Sequence, residues 1–143
     1  MRVGNFYRPG WFPVAVQALV VLAESDGACS SSIMANNLKA HAVFVRRVLA
    51  YLVRANLVQA REGRDGGYRL ARPAEQITLA EVYQAVRVID SPEDPQDASD
   101  VNLQVQAVLE EIGAEAEQHL IELLSHASLA SVLERVGMAR HPS

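Results

Sequence analysis

Two neighbouring arginines in the middle of the chain lie where they could bind a nucleic acid. Arg46 and Arg47 fall on the polar side of an apolar periodicity that predicts a helix over about residues 42–55. An arginine guanidinium can donate two hydrogen bonds to guanine, and a helix that enters the major groove of DNA can bring it there. A glycine-rich turn over residues 63–67 follows this helix. The pattern predicts a DNA-reading helix with a hairpin beside it.

The hairpin and a nearby helix start offer further contacts to DNA. Arg61 and Arg64 lie on the predicted hairpin, where they could reach the DNA backbone or the minor groove. The paired glycines Gly66 and Gly67 can supply the positive φ that a tight hairpin needs. Ser31 lies in a run of three serines that begins a short helix, whose free backbone N–H groups could hold a phosphate. Each feature alone is typical of an ordinary exposed helix or hairpin, so the prediction depends on their occurrence together.

The charge of the chain is divided unevenly. The 143 residues are 50% hydrophobic and 21% charged, which excludes collagen-like, disordered and disulfide-scaffold classes. The net charge of −4 argues at first sight against a polyanion partner. However, residues 1–75 have a net charge of +5 and residues 76–143 one of −9, and residues 39–72 contain eight cations against Glu62 and Asp65. This division predicts a polyanion-binding module followed by an acidic segment.

The predicted elements follow the order of a winged helix-turn-helix, a mainly α fold with a small β-hairpin. They are a buried helix after Pro13, a short helix through Leu38, the helix over 42–55, and a hairpin of strands 57–61 and 68–71. A Thr78–Glu81 capping box begins one more helix. We expect these elements to form a DNA-binding domain over residues 1–89.

The C-terminal half predicts a dimerisation element. Residues 90–100 are acidic and contain two prolines, so we expect a hinge loop there. A long helix from about Val101 to Ala127 and a last short helix fill residues 101–143. Apolar residues recur along the long helix by threes and fours, and such a stripe needs a partner helix. The predicted dimer residues are Val105, Val108, Ile112, Leu120 and Leu123.

Residues 31–86 resemble the DNA-binding half of the Rrf-two family of bacterial transcription regulators. The most telling matches are Leu57-Val58, the wing GRDGGY at 63–68, LARP at 70–73 and ITLAEV at 77–82. With the long helix counted as the family's dimerisation helix, the resemblance covers essentially the whole chain. It implies a homodimeric winged-helix protein that binds double-stranded DNA and regulates transcription, expected here to be a repressor. Residues 61–68 match the wing, and the start of the family's recognition helix is matched by His41, Val43, Phe44, Arg46 and Arg47.

The chain departs from the family in two places. Many members bind an iron–sulfur cluster through three cysteines, but the corresponding residues 88–102 here contain no cysteine or histidine. We therefore expect no cluster and no other cofactor. Many members also have an acidic residue where Arg46 stands and polar residues where His41 and Val43 stand, so the operator is expected to differ from theirs.

A thiol, a metal ion or a small molecule could serve as the signal. Cys29, the only cysteine, precedes the capped start of the second helix, where we expect a lowered pKa and sensitivity to oxidation; the alternative is a small buried hydrophobic residue. A polar stripe on the long helix could bind a divalent ion, although such a stripe is more often just an exposed flank; its residues are Glu115, His119, Glu122 and His126. A pocket near Trp11, Phe12 and Tyr83 could take a small ligand, although single aromatic residues are mostly core.

Other classes of function find no support in the sequence. The apolar run over 14–23 is too short to span a bilayer and no signal-peptide cleavage site follows it, so we expect a cytoplasmic protein without a membrane partner. No nucleophile–base arrangement, phosphate loop or metalloenzyme motif appears, which predicts that the protein is not an enzyme. The alternative to a DNA-binding regulator is a winged-helix module that binds an acidic protein or serves oligomerisation.

Overall fold

Helices dominate the part of the chain that the structure describes, and two short strands form a hairpin beside them. The structure is a computed structural model that describes residues 11–25, 27–64, 66–87 and 102–140. Its elements are α1 (Trp11–Glu24), α2 (Ser31–Leu38), α3 (Ala42–Arg54), β1 (Val58–Arg61), β2 (Gly67–Leu70), a 3₁₀ turn (Ala74–Gln76), α4 (Leu79–Val86), α5 (Leu103–Ser125) and α6 (Leu129–Arg140). The predicted fold class, mainly α with a small β-hairpin in a winged helix-turn-helix, is confirmed. The sequence, with Gly4, Pro9 and Gly10 and no apolar period, predicts an irregular arm over residues 1–11, but its last residue, Trp11, already belongs to α1. Residues 1–10 and the hinge predicted over 90–100 lie outside the described residues.

The core forms where α1 and α3 meet. Ala15, Ala18, Leu19 and Leu22 are the buried side of α1, and the same core takes up the aliphatic side of α3. The buried residues of α3 are Val45, Val48, Leu49 and Leu52. Burial of aliphatic side chains such as these contributes about 1.5–3 kcal/mol each. This packing fixes which side of α3 faces solvent.

The turn between α2 and α3 is built by local signals. The Ser30 hydroxyl accepts a hydrogen bond from the backbone N–H of Ile33 at 3.2 Å and caps α2. At the other end Lys39 adopts a left-handed conformation with φ 54°, and the N–H of Ala40 reaches back to the carbonyl of Ala35. This left-handed ending stops α2 and redirects the chain into α3 within three residues.

The wing follows from a similar helix ending. Asn56 has φ 63°, and the N–H of Leu57 donates to the carbonyl of Leu52 at 3.0 Å, which ends α3 and turns the chain into β1. The strands then pair antiparallel from Val58 opposite Leu70 to Arg61 opposite Gly67. The strands begin or end one residue away from the predicted bounds.

Cys29 adds a contact to the wing that the sequence did not predict. Its N–H donates to the Tyr68 carbonyl at 2.9 Å, and the Tyr68 N–H donates to the Cys29 carbonyl at 2.8 Å. Gly67 has φ 142°, and a Cβ there would lie 2.7 Å from the Cys29 oxygen. Gly67 is therefore required twice, by its backbone conformation and by the close approach of Cys29.

The paired-glycine prediction needs one correction. Gly67 and Gly63 have positive φ, whereas Gly66 does not. A Cβ at Gly66 would instead lie 2.4 Å from the carbonyl oxygen of Arg61. Glycine is needed at position 66 because the tight turn leaves no room for a side chain. Its backbone conformation is not the reason.

The start of α4 pairs with the start of α6. The predicted capping box is confirmed: Thr78 accepts from the N–H of Glu81, and the Glu81 carboxylate accepts from the N–H of Thr78. Beside it, the N–H of Leu79 donates to the carbonyl of Ala127, and the N–H of Leu129 donates to the carbonyl of Ile77. Leu129 is fully buried in the same core as α1 and α3. The helix after α5 therefore packs back onto the helix-turn-helix.

The long helix α5 begins after Asn102, whose side-chain oxygen accepts from two backbone N–H groups of the first turn. It has 23 residues and packs against α4, with Gly113 as its one buried residue. It is slightly shorter than predicted. No helix in the described ranges combines the length and apolar character needed to cross a bilayer.

Candidate nucleic-acid interface

One face of α3 points to solvent along its whole length. Val43 is 63% exposed, and Arg46, Arg47 and Ala50 are exposed with it at helical spacing. The aliphatic residues on the opposite side are fully buried, as the periodicity predicted. We name this surface the α3 face: Val43, Arg46, Arg47 and Ala50. It combines an exposed aliphatic side chain, two guanidinium groups and a small residue that allows close approach.

His41 and Ser31 lie at the starts of the two helices. His41 is the exposed N-cap residue of α3, and its side chain makes no capping hydrogen bond. Its imidazole is therefore not used to cap the helix. Ser31 is the first residue of α2, but the cap itself is provided by Ser30. The sequence placed both residues at helix starts, and the structure agrees.

Phe44 and Arg47 share one aromatic neighbour. The Phe44 ring is half-buried, with its centroid 4.4 Å from that of Trp11. The guanidinium carbon of Arg47 lies 5.2 Å from the centroid of the same indole. Phe44 thus packs beside the α3 face. The sequence grouped it with the DNA contacts and did not predict Trp11 as a neighbour, because residues 33 positions apart meet only through tertiary packing.

The wing places cations at the rim of the same domain. Arg61 ends β1, and Arg64 lies in the turn that follows; both are exposed. Arg69 on β2 is also exposed, opposite Gln59. Arg69 was counted among the cations of residues 39–72 but was not predicted to contact DNA. The alternation of side chains along a strand could have indicated that it points outward.

The cations of this region are largely free of carboxylate partners. Within the described residues two ion pairs form, Arg72 with Glu81 at 2.8 Å and Arg87 with Glu117. Neither involves the following cations of α2, α3 and the wing: Lys39, Arg46, Arg47, Arg54, Arg61, Arg64 and Arg69. No carboxylate of the described residues neutralises their charge, which favours contact with an external anion.

Arg72, one of the eight cations counted over residues 39–72, is engaged within the protein itself. Its guanidinium binds the Glu81 carboxylate and the carbonyl of Gln76, so it is neutralised inside the domain. Partial burial raises the pKa of Glu81, but hydrogen bonds from Arg72 and Thr78 and the positive charge of Arg72 outweigh this effect. The pKa of Glu81 therefore lies below its usual value.

Cys29 does not have the lowered pKa that its position suggested. The residue is buried, 6% exposed, beneath the contact with Tyr68. Burial raises the pKa of the thiol, and a hydrogen bond with Ser25 offsets this only in part. The expectation of a pKa lowered by the helix start is wrong because loss of solvation dominates. A protonated, buried thiol is typical of a small core residue.

The polar stripe on α5 does not form a metal site within one chain. In the described ranges no three His, Cys, Asp or Glu side chains come together as they would around a metal ion. The hypothesis of such a site is therefore wrong for this group: Glu115, His119, Glu122 and His126. Along a helix the ends of this stripe lie about 16 Å apart, which is too far for one ion.

The aromatic residues suggested as a ligand pocket contact one another or α3. Phe12 meets Tyr83 edge to face with centroids 5.8 Å apart, while Trp11 packs on Phe44. Both rings of α1 belong to the apolar packing around the core. These contacts favour the core interpretation over a ligand site.

An apolar stripe on α5 is exposed to solvent in the single chain. Four of the five predicted dimer residues are more than half exposed: Val105, Val108, Ile112 and Leu123. Leu120 is half-buried instead, and Leu109, which the sequence did not single out, is 56% exposed. We name this surface the α5 stripe: Val105, Val108, Leu109, Ile112 and Leu123. No other element of the described part of the chain covers this stripe.

Comparison with known proteins identifies the family. A sequence model of Rrf2, described as an iron-dependent transcriptional regulator, matches residues 11–135. The chain belongs to the Rrf2 family. This confirms the resemblance to Rrf-two regulators, and with it the assignment to transcription regulators. YwgB of Bacillus subtilis (strain 168), a candidate HTH-type transcriptional regulator, is 30% identical over 127 residues, and the match covers 86% of this chain and 81% of YwgB.

Solved structures of Rrf2 relatives share the fold. T. potens IscR aligns with a TM-score of 0.64 at 24% identity, over 90% of this chain and 87% of that one. CymR, the global cysteine regulator of B. subtilis, aligns with a TM-score of 0.62 at 18% identity, over 90% and 96%. At these identities the likeness establishes the architecture, including the helix-turn-helix and the long helix after it.

The description of the Rrf2 family raises the question of whether this chain could hold iron. The chain has one cysteine, and residues 88–102 contain neither cysteine nor histidine; of these, 88–101 lie outside the described residues. Cys29 is buried, and the described part of the chain brings no three potential ligands together. An iron–sulfur cluster held by three thiolates needs three cysteines, and the residues present do not fit it.

Proposed function

We propose that this Rrf2 protein is a homodimer that binds a specific DNA operator through the α3 face and the wing. The observation that supports the proposal is that the arginines of α3 and the wing are exposed and without carboxylate partners in the described residues. Unpaired cations on a narrow surface attract phosphates, whose neutralisation releases counterions and supplies much of the affinity.

The α3 face has the chemistry to distinguish bases. Arg46 and Arg47 can each donate two hydrogen bonds to guanine in the major groove. Val43, with its exposed aliphatic side chain, can pack on the methyl group of thymine. The small Ala50 lets the helix approach the base edges. His41 and the wing residues Arg61 and Arg64 would contact the flanking backbone or the minor groove.

The α5 stripe supports the proposal of a homodimer. Exposed aliphatic residues at helical spacing lose contact with water when a second copy of the same helix covers them. A two-fold dimer would present two copies of α3 to half-sites about 34 Å apart on the duplex. The operator is then expected to be an inverted repeat. Such a dimer would repress transcription where its operator overlaps a promoter, because bound protein excludes other proteins from the site.

The proposal includes no catalytic activity and no cofactor. The side chains of the α3 face are guanidinium and aliphatic groups, which bind but do not provide a nucleophile with its base. The surface therefore fits recognition. An acidic protein partner for the same basic surface is an alternative outcome of the experiment below.

Selection of bound duplexes from a random pool tests the proposal. We expect the purified protein to enrich an inverted repeat, with a log–log salt slope of about −5 to −9 if each subunit neutralises three to five phosphates. Arg46→Ala is expected to weaken operator binding by about 5- to 150-fold, because one bidentate contact is lost. The control is Arg135→Ala, which removes an exposed arginine on α6.

Two results would contradict the proposal. One is that no sequence is enriched and binding is undetectable at low salt. The other is that the Arg46→Ala and Arg47→Ala double variant binds the same duplexes as well as the unchanged protein. In either case a winged-helix module for an acidic protein partner becomes the better explanation of the basic surface.

A further inference from the structure

Trp11, the first residue of α1, lies against the recognition helix. Its indole contacts Phe44 at 4.4 Å between centroids, at an interplanar angle of 50°. The guanidinium carbon of Arg47 lies 5.2 Å from the centroid of the same ring. Phe44 and Arg47 are three residues apart on α3, so one indole contacts two successive turns of that helix. A residue outside the helix-turn-helix segment is thereby in contact with one arginine of the α3 face.

The contact restricts a side chain that is otherwise flexible. A guanidinium within about 6 Å of an indole centroid is attracted to the π face, and tryptophan is the strongest partner of this kind. An arginine that stacks on a ring keeps the N–H groups along its edge free to donate hydrogen bonds. By contrast Arg46, its neighbour on α3, has neither a ring nor a carboxylate partner among the described residues.

We propose that Trp11 is a positioning residue for DNA recognition: it holds the Arg47 guanidinium in the orientation in which that group contacts a base. The inference rests on the proposed function and assigns a role to α1 within it. Trp11 itself need not touch DNA. Its effect passes through Arg47, and therefore concerns the sequence preference at the base pair that Arg47 reads.

Variants of Trp11 separate positioning from packing. We expect Trp11→Leu to lower discrimination at one base pair of each half-site by about 2- to 30-fold, the range of cation–π interactions. The salt slope is expected to stay unchanged, because the number of cations is the same. Trp11→Phe is expected to retain part of the discrimination. The matched control is Phe12→Leu, since Phe12 is the adjacent aromatic residue of α1 but contacts Tyr83.

A double variant tests whether the effect passes through Arg47. In an Arg47→Ala background, Trp11→Leu is expected to change the base preference no further. An additional change at the same base pair would overturn the proposal. So would an equal loss of discrimination in Phe12→Leu, because the effect would then be one of general α1 packing. Thermal unfolding of each variant identifies any that fails to fold, and Trp11→Phe, which keeps a ring on Phe44, then replaces Trp11→Leu.

The fluorescence of the free protein gives a readout that needs no DNA. Trp11 is the only tryptophan in the chain, so all indole emission comes from it. Arg47→Ala is expected to increase quenching of this emission by acrylamide, because one face of the indole becomes uncovered; Arg46→Ala is expected to leave it unchanged. Equal quenching in both variants would overturn the contact.

The outcomes distinguish the two proposals. If the unchanged protein selects an operator and Trp11→Leu selects it with the same preference, or binds it more tightly, only the role of Trp11 is overturned. If the unchanged protein selects no DNA, the proposed function is overturned, and the positioning role falls with it. A loss of preference at one base pair that Phe12→Leu does not share supports both.

Discussion

The hydroxyl of Tyr83 in α4 donates a hydrogen bond to Oε2 of Glu117 in α5, at 3.2 Å. The other carboxylate oxygen of Glu117 pairs with Arg87, at the end of α4. One carboxylate of the long helix thus binds two residues of the domain that contains α3. Together with the packing of α5 on α4, these contacts help to hold α5 in the orientation that sets the direction of the α5 stripe.

Loss of the Glu117 charge is expected to loosen this connection. Glu117→Gln keeps an acceptor for Tyr83 but removes the ion pair with Arg87, which is partly exposed. We expect a loss of about 1 kcal/mol in the free energy of unfolding, which corresponds to a fall of roughly 3–5 °C in the melting temperature. Glu110→Gln, an exposed change on the same helix, is the control. Equal melting temperatures for the two variants would show that the connection contributes nothing.

A charge in the α5 stripe is expected to separate the subunits. Ile112→Asp places a carboxylate where two copies of α5 would meet, and burying it there without a partner costs several kcal/mol. Sedimentation is expected to give the mass of one chain, and operator binding to weaken sharply because half-sites are no longer bound together. Gln118→Asp, on the opposite side of α5, should leave the dimer intact. A dimer that persists in Ile112→Asp would refute the stripe as the interface.

Glu81 is expected to make stability depend on pH in the acidic range. Its pKa is lower in the folded protein than in the unfolded chain, so its contribution is fully present above the unfolded pKa of about 4.3. This contribution is lost as the pH falls through the lower folded pKa. Urea unfolding should show Glu81→Gln less stable than the unchanged protein at pH 7, with a difference that shrinks toward pH 3. A difference independent of pH would contradict this role of the carboxylate.

Cys29 is expected to react slowly with thiol reagents. Burial and the raised pKa keep the thiol protonated at pH 7, whereas the reacting species is the thiolate. Labelling with iodoacetamide at pH 7 should be at least about tenfold slower in the folded protein than in urea, and the rate for the folded protein should still rise with pH above the ordinary thiol pKa of about 8.5, where the rate for the unfolded chain levels off. Rapid labelling of the folded protein at pH 7 would support the thiol as a redox sensor, and Cys29→Ser would then remove any effect of oxidants on DNA binding.

The sequence by itself determined the order of the elements, the exposed side of α3 and the capping box of α4. These features depend on residues within one helix or one turn: the period of apolar side chains in α3, and the reciprocal hydrogen bonds of Thr78 and Glu81. Local spacing is sufficient to specify them. The same holds for the basic character of residues 39–72, which is a matter of composition.

Only the tertiary structure decided which of these residues are free to bind. Arg72 forms an ion pair with Glu81. Trp11 covers one side of the Arg47 guanidinium, and Cys29 is buried against Tyr68. Each of these contacts joins residues 9 to 39 positions apart. Neither the periodicity nor the composition of the sequence specifies a contact at such a distance along the chain. It depends on how the helices pack and on the register of the wing, and these follow from the whole core.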